Sequence, residues 1–94
     1  EGQVTEVRHL VITGRVQGIG FRYSMAAQAR ALGVGGWVRN RRDGSVEAMV
    51  AGSGEQVAAM IDWSRRGPAG AQVDHIAVEL GSGDYDGFEQ LPTA

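Results

Sequence analysis

Two stretches of this chain carry residues suited to handling a small anion: GRVQGIGFR at Gly14–Arg22 and GWVRNRRDGSVE at Gly36–Glu47. Gly14, Gly18 and Gly20 allow the backbone to take positive φ and to approach a ligand with no Cβ in the way. A loop of this kind can point successive N-H groups into one concavity. If a helix opens directly after it, the positive end of the helix dipole faces the same space. Arg22 then adds a fixed charge and a planar fork matched to two phosphate oxygens. The glycine spacing also fits a plain flexible turn, because the loop has neither G-x-G-x-x-G nor a Walker lysine. Asn40, in the second stretch, brings a carboxamide with no acid-base chemistry near neutral pH, so its use in a reaction is to orient a partner.

The surrounding pattern must bring these residues together. Val4–Thr13 is rich in β-branched residues and ends at a glycine, which predicts a strand. Phe21, Met25, Ala29 and Leu32 recur at helical spacing ahead of Gly33, which predicts a helix over Phe21–Leu32. Gly36–Asn40 and Ser45–Ala51 read as two strands joined by a tight turn at Asp43-Gly44. Ser53 and Gln56 form a capping-box pattern for a second helix running to about Arg66, where Gly67-Pro68 stops it. Val73–Leu80 predicts a fourth strand and Gly87–Leu91 a short fifth.

The resulting βαββαβ order predicts one α+β domain over residues 1–94: a ferredoxin-like antiparallel sheet of four to five strands with two helices on one face. In that arrangement strands one and two run parallel with strand three between them, so both exit at one edge of the sheet. Two strand spacings separate the exits, roughly 10 Å at about 4.8 Å each. That gap suits a phosphate-sized group between Arg22 and Asn40.

Composition narrows the chemistry. All nine basic residues are arginine, which excludes mechanisms needing a lysine amine, and cysteine is absent, which excludes thiolate chemistry and cysteine-ligated metal. A net charge of -2 with scattered arginines gives no basic face for nucleic acid. No apolar run approaches the roughly 18 residues of a membrane span, and no signal-peptide pattern stands at the start, so a soluble cytoplasmic monomer is expected.

The two stretches, at this separation and in this element order, closely resemble the signatures of the acylphosphatase family, and the resemblance covers essentially the whole chain. It implies an enzyme that hydrolyses the carboxyl-phosphate bond of acyl phosphates, releasing inorganic phosphate, without metal or cofactor. It assigns phosphate binding to the loop amides of Arg15, Val16, Gln17, Gly18, Ile19 and Gly20 together with Arg22, and orientation of the attacking water to Asn40. Ile19 stands where the family usually has valine, and Gly20 is one of several residues found at its position. Ser45 occupies a place often held by a small hydroxyl residue; it either supports Asn40 or simply opens a strand.

Other residues read more plainly. His9 and His75 are expected as surface or packing histidines, Ser24 as helix N-terminal polarity, and Trp37, Trp63 and Tyr23 as packing residues. Arg39, Arg41 and Arg42 read as a solvated hairpin tip. One rival class is a binding module on the same fold, though SVEAMVA offers no aromatic residue for RNA stacking. Another is a domain of a larger hydrogenase-maturation protein, whose zinc-binding cysteines lie beyond such a domain.

Overall fold

The computed structural model describes residues 5–94. The elements are β1 (Glu6–Arg15), α1 (Phe21–Leu32), β2 (Gly35–Asn40), β3 (Val46–Gly52), α2 (Gly54–Arg66), β4 (Gln72–Leu80) and β5 (Phe88–Gln90). The predicted order holds, with boundaries shifted by one or two residues. Val4, predicted as the start of the first strand, lies outside the described residues, and β1 continues two residues past the predicted end at Thr13.

The strands lie in the order β4-β1-β3-β2-β5, so β3 separates β1 from β2 as expected. The sheet is mixed, which corrects the antiparallel expectation: β5 runs parallel to β2. After β4 the chain reverses and crosses to the opposite edge, so β5 shares the direction of β1 and β2.

Directly opposed residues share one face of a sheet. Leu10, Ala48 and Val38 form one row across β1, β3 and β2; Ile12, Val46 and Asn40 form the next. Apart from Asn40, these residues are fully buried, against Phe21, Met25, Ala29, Val57 and Met60 of the two helices. Burying each large apolar side chain contributes roughly 1.5–3 kcal/mol before entropic costs, so this row pattern sets the register. Phe21 and Trp63 meet edge to face with centroids 5.6 Å apart, which links the start of α1 to α2.

The other face carries a charged cluster instead of a helix. Glu47 accepts hydrogen bonds from His9 Nε2 at 2.7 Å and Arg39 Nε at 2.8 Å, and the Arg39 guanidinium stacks 4.9 Å from the Trp37 ring centroid. Burial pushes the Glu47 carboxyl up, but the bonds from His9 and Arg39 outweigh it and hold the group below its ordinary value. Arg39 is therefore not part of a solvated tip, and His9 has a defined partner across the sheet. No helix among the described residues is long and apolar enough to cross a membrane.

Candidate active site

The two helices begin in opposite ways. At α2, Ser53 accepts from the Gln56 N-H and the Gln56 side chain accepts from the Ser53 N-H, a complete capping box, with Glu55 in the first turn. At α1 the cap is Gly20 in the left-handed conformation, with no side-chain cap and no acid in the first turn. The chain thus satisfies the exposed amides and dipole of one helix with its own side chains, and leaves the other without a side-chain cap or an acid.

The loop before α1 combines left-handed glycines with apolar anchors. Gly18 and Gly20 have φ of 80° and 78°, a region that L side chains rarely adopt. Between them Ile19 packs against the core, and ahead of them Val16 is almost wholly buried. Apolar anchors therefore alternate with glycines, pinning the loop while its backbone stays open. Gly14 serves a different purpose from the one its sequence context suggested. It lies within β1 at a register shift against β4, seated against the Gln72 carbonyl, and does not line the loop.

One cleft of about 110 Å³ joins loop and sheet; its lining includes Val16, Gly18, Gly20, Arg22, Tyr23, Asn40 and Gln90. Asn40 reaches it because it belongs to the helix-facing row with Ile12 and Val46, at the sheet end where α1 begins. The guanidinium of Arg22 has no ion-pair or hydrogen-bond partner among the described residues. Arg8, Arg39 and Arg66, by contrast, are paired with Glu6, Glu47 and Asp62. The cleft therefore contains an uncompensated charge beside uncapped amides.

Arg15 is placed at the end of β1, exposed and paired with Gln72, ahead of the loop proper. The Gln17 side chain turns away from the cleft. Its Nε2 donates to the carbonyls of Arg41 at 2.8 Å and Ser45 at 2.7 Å, tying the glycine loop to the β2-β3 hairpin just beyond Asn40. The Ser45 hydroxyl donates to Asp43 Oδ1 at 2.6 Å, and that bond holds the Asp43 carboxyl below its ordinary value. Ser45 thus closes the turn and makes no hydrogen bond to Asn40.

Two contributions escaped sequence reasoning. Gln90 enters the cleft because β5 pairs with β2, placing it opposite Val38, two residues from Asn40. The segment after β5 continues along β2: the Leu91 N-H donates to Val38 and the Ala94 N-H to the Asn40 carbonyl, at 2.9 and 3.0 Å. The Arg42 N-H donates back to the Ala94 carbonyl at 2.9 Å, so Ala94 flanks Asn40 on one side while pairing with Val46 of β3 flanks it on the other. A short polar edge segment gives no signal of such a role in sequence. Tyr23 corrects an expectation: it is 71% exposed at the cleft mouth and is not a packing residue.

The family model described as acylphosphatase matches residues 8–90. An acylphosphatase of Thiobacillus denitrificans is 54% identical over 82 residues, covering 87% of this chain and 92% of that protein. Among solved structures, an acylphosphatase from Coxiella burnetii superposes with a TM-score of 0.89 at 31% identity, covering 93% of each chain. T. kodakarensis HypF superposes with a TM-score of 0.81 at 27% identity, covering 92% of this chain and 12% of the longer one.

Proposed function

The chain belongs to the acylphosphatase family, and on that premise we propose that it hydrolyses acyl phosphates to a carboxylate and inorganic phosphate, acting as a cytoplasmic monomer without metal or cofactor. The observation that carries the reading is the meeting, in one phosphate-sized cleft, of an uncapped helix start, an unpaired Arg22 and Asn40.

In this reading the backbone N-H groups over residues 15–20 and the Arg22 guanidinium hold the three phosphoryl oxygens. Asn40 holds a water in line with the bond to be broken. The water oxygen attacks phosphorus, the bond from phosphorus to the acyl oxygen breaks, and the carboxylate departs with the electron pair. The water's proton passes to a phosphoryl oxygen of the substrate. A carboxylate is a good leaving group, so no strong general acid is needed; positioning and charge stabilisation supply the acceleration. The Gln17 bonds support this division of labour, because they fix the water-holding hairpin relative to the phosphate-holding loop, while Ala94 holds the end of β2 from the segment after β5.

The test is hydrolysis of acetyl or benzoyl phosphate by purified protein in the presence of excess chelator, with inorganic phosphate as a competitive inhibitor. Turnover that survives chelation is expected. Loss of turnover with chelator would rule out the metal-free mechanism.

A further inference from the structure

The cleft that would take the phosphoryl group is too small for a whole substrate. At about 110 Å³ it falls well short of the roughly 300–1,000 Å³ of pockets that enclose larger ligands, so the acyl group of a bound acyl phosphate lies at the mouth. Three large apolar side chains stand exposed among the described residues: Tyr23 at 71%, Val78 at 40% and Leu80 at 82%. Val78 and Leu80 belong to β4, at the sheet edge remote from β2, whereas Tyr23 lines the cleft beside Arg22. Tyr23 is no part of the core, and its hydroxyl makes no hydrogen bond to any described residue.

The direction of the reaction gives this position a use. Asn40 and Gln90 come from the sheet side of the cleft, and Arg22 and Tyr23 from the helix side. In-line attack by a water held at Asn40 expels the carboxylate away from Asn40 and out through the cleft mouth, where Tyr23 stands exposed. We propose that Tyr23 is a specificity-determining residue whose ring packs against the acyl portion, so that aromatic acyl phosphates are favoured over acetyl phosphate. This inference rests on the acylphosphatase reading above. A tyrosine serves better here than an aliphatic residue, because its flat ring pairs with an aromatic acyl group while its hydroxyl stays in water.

The experiment compares kcat/KM for benzoyl phosphate and acetyl phosphate in the unaltered protein, Tyr23→Ala and Tyr23→Phe, with inhibition by inorganic phosphate measured in each. An aromatic contact of ordinary strength predicts that Tyr23→Ala lowers the benzoyl-to-acetyl ratio by about three- to tenfold. Tyr23→Phe should keep the ratio, and phosphate inhibition should stay the same in all three. An unaltered ratio in Tyr23→Ala overturns the proposal. So does a parallel loss for both substrates with weakened phosphate inhibition, which would make Tyr23 part of the phosphate cradle. Failure of the unaltered protein to hydrolyse either substrate would instead overturn the acylphosphatase reading, and this inference with it.

Discussion

The two ends of the sheet each carry a hollow bordered by glycines, and the larger one is the wrong one for an anion. At the end where β2 begins and β3 ends, a hollow of about 500 Å³ is bordered by Gly33, Gly35, Gly52 and Gly83 together with Asp84, Tyr85 and Asp86. At the other end the cleft of about 110 Å³ holds Gly18, Gly20, Arg22 and Asn40. Glycine opens the backbone in both places. Only the smaller cleft combines that openness with an unpaired arginine and an uncapped helix start, while the larger presents two carboxylates that would repel a phosphoryl group. Volume and glycine content alone therefore do not choose a site; the sign of the local field does.

The largest test of this contrast removes the charge. Arg22→Gln should lower kcat/KM for acyl phosphates by about a thousandfold and weaken phosphate inhibition, with the circular dichroism spectrum retained, because a charged donor to the transition state is lost from a partly enclosed site. Near-normal phosphate inhibition in that variant would show that the loop amides suffice.

Asn40→Ala separates the two halves of the cleft. A fall in kcat of about a hundredfold with phosphate inhibition nearly intact is expected, since a water-positioning group contributes to the step and not to ligand binding. Full activity would remove Asn40 from the mechanism.

Gln17→Met keeps the bulk of the side chain but removes the donor shared by the Arg41 and Ser45 carbonyls. Freed from that tie, loop and hairpin drift relative to one another, and kcat should fall by about tenfold with KM little altered. A change confined to thermal stability would mean that the tie is structural only.

The smallest effect belongs to the opposite end. Joint replacement of Asp84 and Asp86 by Asn should alter kcat/KM by less than about twofold at physiological ionic strength. The seven residues of β3 span roughly 20 Å between the two ends, more than twice the screening length of about 8 Å. A larger gain would show that the acidic end steers substrate.

How much was legible depended on the range of the interaction. The helix starts and stops were readable, since Ser53, Gln56 and Gly33 act within a turn of their own positions. The strand spans were readable from β-branched runs and turn residues, but the core rows rest on register between strands. The role of Arg39 is not legible because its partner Glu47 lies on the neighbouring strand, and that of Tyr23 is not legible because aromatic type alone does not show that a residue overhangs a cleft. The landing of β5 beside β2 depends on a crossover of the whole sheet, which no local pattern encodes.

Read along the chain alone, the cradle is a contiguous loop whose glycines permit left-handed backbone and whose Arg22 follows in the first helical turn. Those properties are local, set by backbone sterics and spacing along one segment. What faces the cradle comes from long-range contacts. Sheet register put Asn40 in the helix-facing row, the Gln17 side chain bridged to the hairpin, and the final segment closed on Asn40 from the far edge. These contacts join residues distant in the chain, and they form only where burial of the Leu10, Ile12, Val38 and Val46 rows has already selected one strand pairing.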